Sequence, residues 1–281
     1  MKRSLLMLAL FMSLTVPTWA QVQRDPAAAP AVGDQQDDDS AIHPAEPDFT
    51  IISLPTALRL PLFGSAFRVT HRFARPLNDD FGDVAGDLFG LDSGAQIGLE
   101  YRFGIVRNGQ VGIHRTSDKT LEFFGQYGVV RQTPGRWVDV TALASIEGTN
   151  NFRDRYTPAL GAIVSRRFGE RAALYVEPIW VHHSNVEPSP VGEAADTFMT
   201  GLGGRVRVRP TLSIAAEFAP RASGYRPGVN HASFAVEKRV GGHVFQLNFS
   251  DSFATTLGQI ARGGPAAKDW YLGFNISRKF F

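Results

Sequence analysis

Apolar and polar residues alternate one by one through much of residues 56–281. In one such segment, Ala95, Ile97, Leu99, Tyr101 and Phe103 alternate with Gln96, Gly98, Glu100 and Arg102. Successive side chains of a β-strand point to opposite faces, so this period of two predicts strands with one apolar and one polar face. The pattern recurs at about 67–73, 110–115, 119–131, 137–148, 157–168, 172–183, 197–209, 211–220, 231–239, 242–253 and 270–281. We therefore predict an all-β fold of about twelve strands.

The links between the predicted strands alternate in length. Odd-numbered links are long except for 116–118, and cover about 74–91, 149–156, 184–196, 221–230 and 254–269. Even-numbered links are short and carry Gly, Pro or Asn, as tight turns do: GIVRNGQ, QTPGR, FGER, RP and VGG. Transmembrane β-barrels have short periplasmic turns and longer extracellular loops. Residues 56–281 are thus predicted to form an antiparallel up-and-down transmembrane β-barrel with both ends in the periplasm.

The N-terminal end of the chain predicts export. Two basic residues precede an apolar run over residues 5–14, and a small-residue cleavage site follows, so residues 1–20 are expected to be a signal peptide. Residues 21–55 hold seven acidic residues against one Arg and few apolar side chains, which predicts a disordered acidic periplasmic linker. The chain has no cysteine, which excludes disulfides and thiolate catalysis.

The C-terminal segment DWYLGFNISRKFF indicates how such a sheet meets a membrane. No run of 18 apolar residues follows the signal peptide, so no spanning helix is expected. A bilayer offers no water to unpaired backbone groups, so the first and last strands must pair. The predicted lipid-facing residues are Trp270, Leu272, Phe274 and Ile276, and the lumen-facing ones are Tyr271, Gly273, Asn275, Ser277 and Lys279. A soluble β-sandwich is the alternative, because it also alternates buried and solvated faces.

The polar faces of the predicted strands point into the lumen and carry both signs of charge. The expected lumen network consists of the acids Glu100, Glu122, Glu147, Glu177, Glu217 and Glu237 and the bases Arg68, Arg72, Arg102, Arg167, Arg205, Arg207 and Lys279. This near balance favours mutual pairing, since unpaired buried charges are costly. A barrel of this size is narrower than the porins with aqueous channels. We expect a lumen plugged by its own network or a thin polar path; TALRLPLF, before the first strand, is either a strand extension or a plug.

Several segments carry a family resemblance: THRF, GDLFGLDSGAQIGLEYRFG, DKTLEFFGQY, AAEFAPRASGY, GGHVFQLNFSDSF and YLGFNISRKFF. Together they resemble a family of bacterial membrane β-barrel domains of unknown function, over roughly residues 56–281. The terminal Phe pair also resembles the signal by which outer-membrane proteins are handed to their assembly machinery. The resemblance implies a barrel in the outer membrane of a Gram-negative bacterium. It implies no activity or ligand.

The segment WVHHSN is the sharpest chemical candidate. Its His-x-Ser-Asn run resembles the catalytic stretch of outer-membrane lipid A deacylases. An imidazole beside a hydroxyl can create a nucleophile when a carboxylate orients the ring. In this interpretation His182 and Ser184 face lipid, and Asp196 or Glu193 orients His182. The alternative is the end of a strand entering a polar extracellular loop, where Trp, His and Ser-Asn are common.

The expected role is therefore a narrow channel or a binding or structural barrel, with a lipid-ester hydrolase as the competing hypothesis. Histidines are scattered without ligand spacing, so we expect no metal and no cofactor. The expected partners are outer-membrane lipid and lipopolysaccharide, the assembly machinery, and a periplasmic partner of residues 21–55. No concentrated basic patch suggests nucleic acid.

Overall fold

A computed structural model describes residues 43–77, 81–86, 94–185, 195–224, 229–264 and 269–281. The strands are β1 Ser65–Pro76, β2 Ala95–Val106, β3 Gly109–Thr116, β4 Leu121–Val130, β5 Asp139–Gly148, β6 Asp154–Phe168, β7 Ala172–Val181, β8 Thr197–Arg209, β9 Leu212–Ala219, β10 His231–Val240, β11 His243–Ser250 and β12 Tyr271–Phe280. The short helical segments are α1 Phe81–Gly86, α2 Thr149–Phe152 and α3 Leu257–Arg262. Within these described ranges, no helix is long and apolar enough to cross a membrane.

Each strand pairs antiparallel with its neighbours in the chain, and β1 pairs with β12 to close the sheet. The closing register sets Arg68 opposite Ser277 and Val69 opposite Ile276. Closure satisfies the backbone donors and acceptors of both edge strands, as a sheet in lipid requires. The predicted all-β barrel of twelve antiparallel strands is therefore confirmed.

Burial alternates along the strands as the sequence predicts. In β12 the inward residues from Tyr271 to Lys279 are buried, whereas Leu272, Phe274 and Ile276 are partly exposed. Arg278 faces outward and lies over the ring of Phe280, with 5.1 Å between the guanidinium carbon and the ring centroid. At a membrane interface, a long basic side chain can lie along apolar surface while its charged group reaches water.

The links alternate between the two ends of the barrel. One end carries links 77–94, 117–120, 149–153, 182–196, 220–230 and 251–270, and the other carries 107–108, 131–138, 169–171, 210–211 and 241–242. Short turns lie on the periplasmic side of such barrels, so we name the first end extracellular and the second periplasmic.

Residues 43–64, which we name the plug segment, precede β1 and run mainly inside the barrel, although Leu62 and Phe63 are exposed. Phe49, Ile51, Ile52 and Leu54 are at most 3 % exposed. The prediction of a disordered linker up to residue 55 was therefore wrong for residues 43–55. A prediction of disorder from the composition of one segment ignores the apolar and polar contacts that the surrounding barrel wall supplies. The predicted signal peptide and residues 21–42 lie outside the described residues and stay predictions.

Candidate functional site: a lumen filled by the plug segment

The plug segment makes a tight turn in the middle of the lumen. The backbone N–H of Ile51 donates to the carbonyl of Leu54 at 2.7 Å, and that of Thr56 donates to the carbonyl of Phe49 at 2.8 Å. The three N–H groups of residues 52–54 are directed at β9 of the wall. The turn thus presents consecutive backbone donors to one wall strand.

Glu217 of β9 receives this turn. Its carboxylate accepts hydrogen bonds from the N–H groups of residues 52–54 at 2.8–3.0 Å. His231 Nε2 lies 2.9 Å from the same carboxylate, and the Ser233 hydroxyl donates to it at 2.9 Å. His231 Nδ1 lies 3.4 Å from Asp251 Oδ1, at the start of an extracellular link. Consecutive N–H groups around an anion form a nest, so Glu217 fixes the turn electrostatically as well as geometrically.

The carbonyls of the plug segment accept hydrogen bonds from other wall side chains. Arg205 Nη2 donates to the carbonyls of Thr50 at 2.9 Å and Ile51 at 3.2 Å. Further wall-to-plug bonds run from Gln246 to Ile51 O (2.7 Å), from Asn275 to Ile52 O (3.0 Å), from Arg68 to Ile52 O, from Lys279 to Pro47 O, from Ser277 to Asp48 Oδ2 (2.8 Å) and from Tyr175 to Glu46 Oε1 (2.9 Å). The wall therefore holds the segment both through its backbone carbonyls and through the carboxylates of Glu46 and Asp48.

The second half of the plug segment is held at the opposite wall. Arg59 Nη2 donates to Asp139 Oδ1 at 2.9 Å and to the carbonyl of Val130 at 2.7 Å. The N–H of Leu60 donates to Gln110 Oε1 at 3.1 Å. These contacts fix the segment at both ends of the turn before it enters β1.

Wall glycines make room for the plug segment. A Cβ added at Gly203 would lie 2.2 Å from Ile51 Cδ1, and one at Gly201 would lie 3.0 Å from Leu54 Cδ1. Gly104 and Gly128 similarly lie against Pro61 and Arg59. A side chain at these positions would displace side chains of the plug segment, and at Gly104 it would meet the backbone carbonyl oxygen of Pro61 at 2.2 Å.

The extracellular end of the lumen is covered by α3. Thr256 accepts a hydrogen bond from the N–H of Gln259 and donates to Glu147 Oε2 at 2.5 Å. Arg262 Nη1 pairs with the same Glu147 at 3.0 Å. Leu257, Ile260 and Ala261 are buried. The helix is therefore anchored inside the barrel by the carboxylate of β5.

Little free space remains between plug and wall. A cavity of about 30 Å³ is lined by Thr50, Ser53, Glu100, Arg102, Glu122 and Gln126, among others. It has room for roughly two water molecules. A cavity of this size does not form a continuous aqueous path.

Twelve of the thirteen side chains predicted for the lumen network are buried or partly buried and form an ion pair or hydrogen bond with the wall, the plug segment or α3; these are Arg68, Arg72, Glu100, Arg102, Glu122, Glu147, Arg167, Arg205, Arg207, Glu217, Glu237 and Lys279. Arg205 pairs with Glu237 at 2.5 Å, and Glu100 pairs with Arg68 at 3.5 Å and with Arg102. Arg207 reaches Glu170 of a periplasmic turn at 3.0 Å. The charges are therefore only partly paired among themselves, because the plug segment and α3 take several of them.

Glu177 of β7 is the exception within the described residues of this network. It is fully buried, and neither carboxylate oxygen has a hydrogen-bond partner there. It stands opposite Gly201 in the β7–β8 register, where the side chain of Leu54 packs. A buried polar group without a partner costs free energy, so the closed lumen carries a local penalty at this position.

The family model of the membrane bound beta barrel domain (DUF5777) matches residues 50–280. The chain belongs to this family. The match begins within the plug segment, so the family includes part of that segment together with the whole barrel. No curated protein matches the sequence.

Solved structures with a similar fold are outer-membrane barrels of low sequence identity. The NanC porin has a TM-score of 0.51 and 7 % identity, covering 78 % of this chain and 99 % of that one. Omp33 of Acinetobacter baumannii has a TM-score of 0.42 and 11 % identity, covering 78 % and 98 %. Outer membrane phospholipase A of Escherichia coli has a TM-score of 0.44 and 10 % identity, covering 85 % and 98 %. This family member is a β-barrel of the cell outer membrane.

The residues of the hydrolase hypothesis are not assembled as a nucleophile and base. His182 Nδ1 lies 2.7 Å from Asp196 Oδ1, so the structure brings these two together. Ser184 is fully buried and donates to the carbonyl of Ala195 at 2.8 Å, with Thr197 Oγ1 at 2.7 Å. The prediction that Ser184 faces lipid beside His182 was wrong. His183 has φ of 51°, which interrupts the alternation and turns the next side chain inward.

The pKa of Asp196, the partner of His182, depends on contacts within its own extracellular loop. Desolvation opposes the change, but hydrogen bonds from the N–H of His183 and from His182 hold the pKa of Asp196 below its usual range. Glu193, the other acid considered for His182, lies outside the described residues. Asp196 therefore acts as a structural acceptor that ties together the two ends of its loop.

Sequence reasoning missed several groups that hold the plug segment. His231, Asp139 and Arg59 are buried and charged or hydrogen-bonded in the lumen. The available signal was the pair of inward glycines, Gly201 and Gly203, two residues apart on one strand face. Inward glycines in a barrel strand indicate close approach of another backbone or side chain.

Proposed function

We propose that this outer-membrane barrel is a narrow channel that its own plug segment holds closed. The observation that carries the proposal is the nest formed around Glu217 by the N–H groups of residues 52–54. The wall behind the plug segment is polar and charged, and water can replace its bonds to backbone groups. Removing the segment would therefore leave a hydrated path rather than a collapsed apolar core.

Apolar contacts keep the closed state dominant. Ile51, Ile52 and Leu54 are each fully buried. Complete burial of each side chain contributes about 2 kcal/mol, so the three together favour closure by roughly 6 kcal/mol before the cost of ordering the segment. Spontaneous opening is accordingly rare, and a partner that binds the preceding residues would favour it.

The segment enters from the periplasmic end, which supports a periplasmic partner. Pro44 and Pro47 lie beside Pro210 and Thr211 of a periplasmic turn. Residues 21–42, which precede this entry, are predicted to be acidic and accessible in the periplasm. A basic periplasmic protein that binds them would be placed to pull the plug segment out of the lumen.

Planar-bilayer conductance tests the proposal. The refolded chain without its predicted signal peptide is compared with a variant that also lacks residues 21–60, and a heat-dependent gel shift confirms that each barrel is folded. We expect rare conductance steps for the longer chain and frequent steps for the truncated one. A folded truncated barrel that does not conduct would refute the proposal that the plug segment holds a channel closed.

Glu217→Gln provides a second test without a deletion. The amide nitrogen of Gln cannot accept the hydrogen bonds that the backbone N–H groups of residues 52–54 donate to the carboxylate. The plug segment is then held less strongly, so we expect more frequent openings. Glu170→Gln is the control, because Glu170 is largely exposed on a periplasmic turn and pairs with Arg207 rather than with the turn of residues 51–54.

A further inference from the structure

An apolar groove runs along the lipid-facing wall from β2 to β5. It has a volume of about 680 Å³ and is lined by Tyr101, Val111, Ile113, Phe123, Ala144 and Ile146, among others. Gly125 and Ala144 are small, so they leave space between the larger side chains that line the groove. These residues face outward, so in the membrane the groove is open to acyl chains.

Four basic side chains lie exposed above this groove at the extracellular end: Arg115, Lys119, Arg153 and Arg155. Arg115 follows Ile113 by two residues on the same outward face of β3, which places it about 7 Å further along the strand. Within the described residues, none of the four forms an ion pair with an acidic side chain. The groove thus has a cationic rim at the level of the outer-leaflet headgroups.

The nearby acids are engaged elsewhere. Asp118 accepts a hydrogen bond from the N–H of Thr120 at 3.0 Å and from Gln259 Nε2 at 3.0 Å. Asp154 accepts from Asn150 Nδ2 at 2.9 Å. The local balance of four bases against two such acids leaves an excess of positive charge on this part of the rim.

The rim is held together as one surface. The N–H of Asn151 donates to the carbonyl of Lys119 at 2.8 Å, which ties two extracellular links together. Asn151 Oδ1 accepts two hydrogen bonds from Arg115 at 3.0 and 3.2 Å. Phe152 packs edge-on against Phe123, with 5.2 Å between ring centroids. The basic rim therefore continues directly into the aromatic wall of the groove.

We propose that this surface binds one molecule of a phosphorylated, acylated lipid of the outer leaflet, the lipid A part of lipopolysaccharide. The groove takes an acyl chain, and the guanidinium and ammonium groups bind phosphate, for which Arg offers paired donors. Charge complementarity favours this occupant over a second copy of the barrel, whose matching surface would carry the same positive charge. The inference is independent of the plug segment.

Binding of purified diphosphorylated lipid A to the refolded chain in detergent tests the proposal. The double variant Arg153→Gln/Arg155→Gln is compared with Arg166→Gln/Arg278→Gln, which removes two outward charges at the periplasmic end. We expect about tenfold to thirtyfold weaker binding for the first pair and little change for the second. Equal loss in both pairs would show general charge attraction and overturn the proposal.

The groove is tested by filling it. Gly125→Leu is sterically permitted, because an added Cβ would meet nothing closer than 3.9 Å, and it remains compatible with lipid. We expect it to weaken lipid A binding about tenfold, whereas Ala216→Leu, an outward change on β9, should have no effect. Unchanged binding by Gly125→Leu would refute the groove as the acyl site.

The identity of the lipid is tested with two further probes. Dephosphorylated lipid A and phosphatidylglycerol should bind at least tenfold more weakly than diphosphorylated lipid A, and the difference should shrink at high salt. Equal binding of either probe would contradict specific recognition of the phosphorylated glycolipid. The heat-dependent gel shift of every variant confirms that a weak binder is still a folded barrel.

Discussion

Replacing Gly203 with valine should open the channel without changing any charge. Gly203 faces the lumen, and an added Cβ would lie 2.2 Å from Ile51 Cδ1 and 3.4 Å from its Cγ1. Valine adds two further methyl groups in the space that Ile51 fills. Ile51 is fully buried, so its side chain must change rotamer within a packed environment or leave the site.

The magnitude follows from packing. Overfilling a close-packed site costs about 1–3 kcal/mol, and expelling Ile51 instead loses about 2 kcal/mol of burial. Either route raises the ratio of open to closed barrels by roughly fivefold to 150-fold. Gly204→Val is the matched control, because Gly204 is the next residue and faces lipid beside Leu174. Its effect on opening should be small.

Single-channel recording in planar bilayers measures this ratio as an open probability. The double variant Gly203→Val/Ile51→Ala provides the decisive arm, since alanine vacates the space that valine needs. We expect the ratio of open to closed barrels in the double variant to be about fivefold lower than the product of the increases caused by the two single substitutions would give. The free-energy effects of substitutions at two residues in contact are not additive. A Gly203→Val barrel as silent as the original, or strictly multiplicative single effects, would refute the contact between β8 and the plug segment as the basis of closure.

Three further perturbations test separate parts of the structure. Glu177→Leu removes a buried carboxylate without partners, so the free energy of unfolding by urea in detergent should rise by about 1–3 kcal/mol; a fall would contradict the assigned penalty. Ser184→Ala should lower it by about 1 kcal/mol while fatty-acid release from lipid A or phospholipid stays equal to that of the unchanged chain, and a release that the variant abolishes would restore the hydrolase hypothesis. Because the pKa of Asp196 is depressed, its stabilising contribution is present above its unfolded pKa, about 3.9, and is lost as pH falls through the lower folded value. Proteolysis of the loop between β7 and β8 should therefore accelerate in acid, and Asp196→Asn should remove this pH dependence.

The barrel could be predicted because lipid imposes one rule on every strand. Each strand must alternate outward and inward residues, so β8 was predicted at 197–209 and lies at Thr197–Arg209. Strand ends follow from turn residues, and closure follows from the absence of water in the bilayer. The charged residues that face the lumen could likewise be predicted from the alternation of inward and outward positions along each strand. Arg205 and Glu237 are examples, since both are fully or almost fully buried.

The plug segment could be predicted only in part, because a plug was one of two alternatives for TALRLPLF, residues 56–63, whereas residues 43–55 were predicted to be disordered. It has no strand period, and its decisive bonds join distant residues, such as Ile52 and Glu217, which are 165 positions apart. The composition of residues 21–55 as a whole predicted disorder, because the apolar side chains at 49–54 follow a long acidic stretch; these side chains suffice for order once a wall supplies partners for the backbone. The error at Ser184 has a local cause, because the left-handed conformation of His183 reverses the side-chain direction that strict alternation predicts.

Two buried carboxylates next to Leu54 show why such a plug can be both well fitted and releasable. Glu217 gains three backbone donors when the segment is in place, and His231 beside it supports its negative charge. Glu177 gains none and is shielded from water by the same segment. Opening would hydrate both groups, so it costs the bonds of Glu217 but relieves the burial of Glu177. The two effects oppose each other across one side chain, so in the proposed opening the hydration of Glu177 would offset part of the loss of bonds at Glu217.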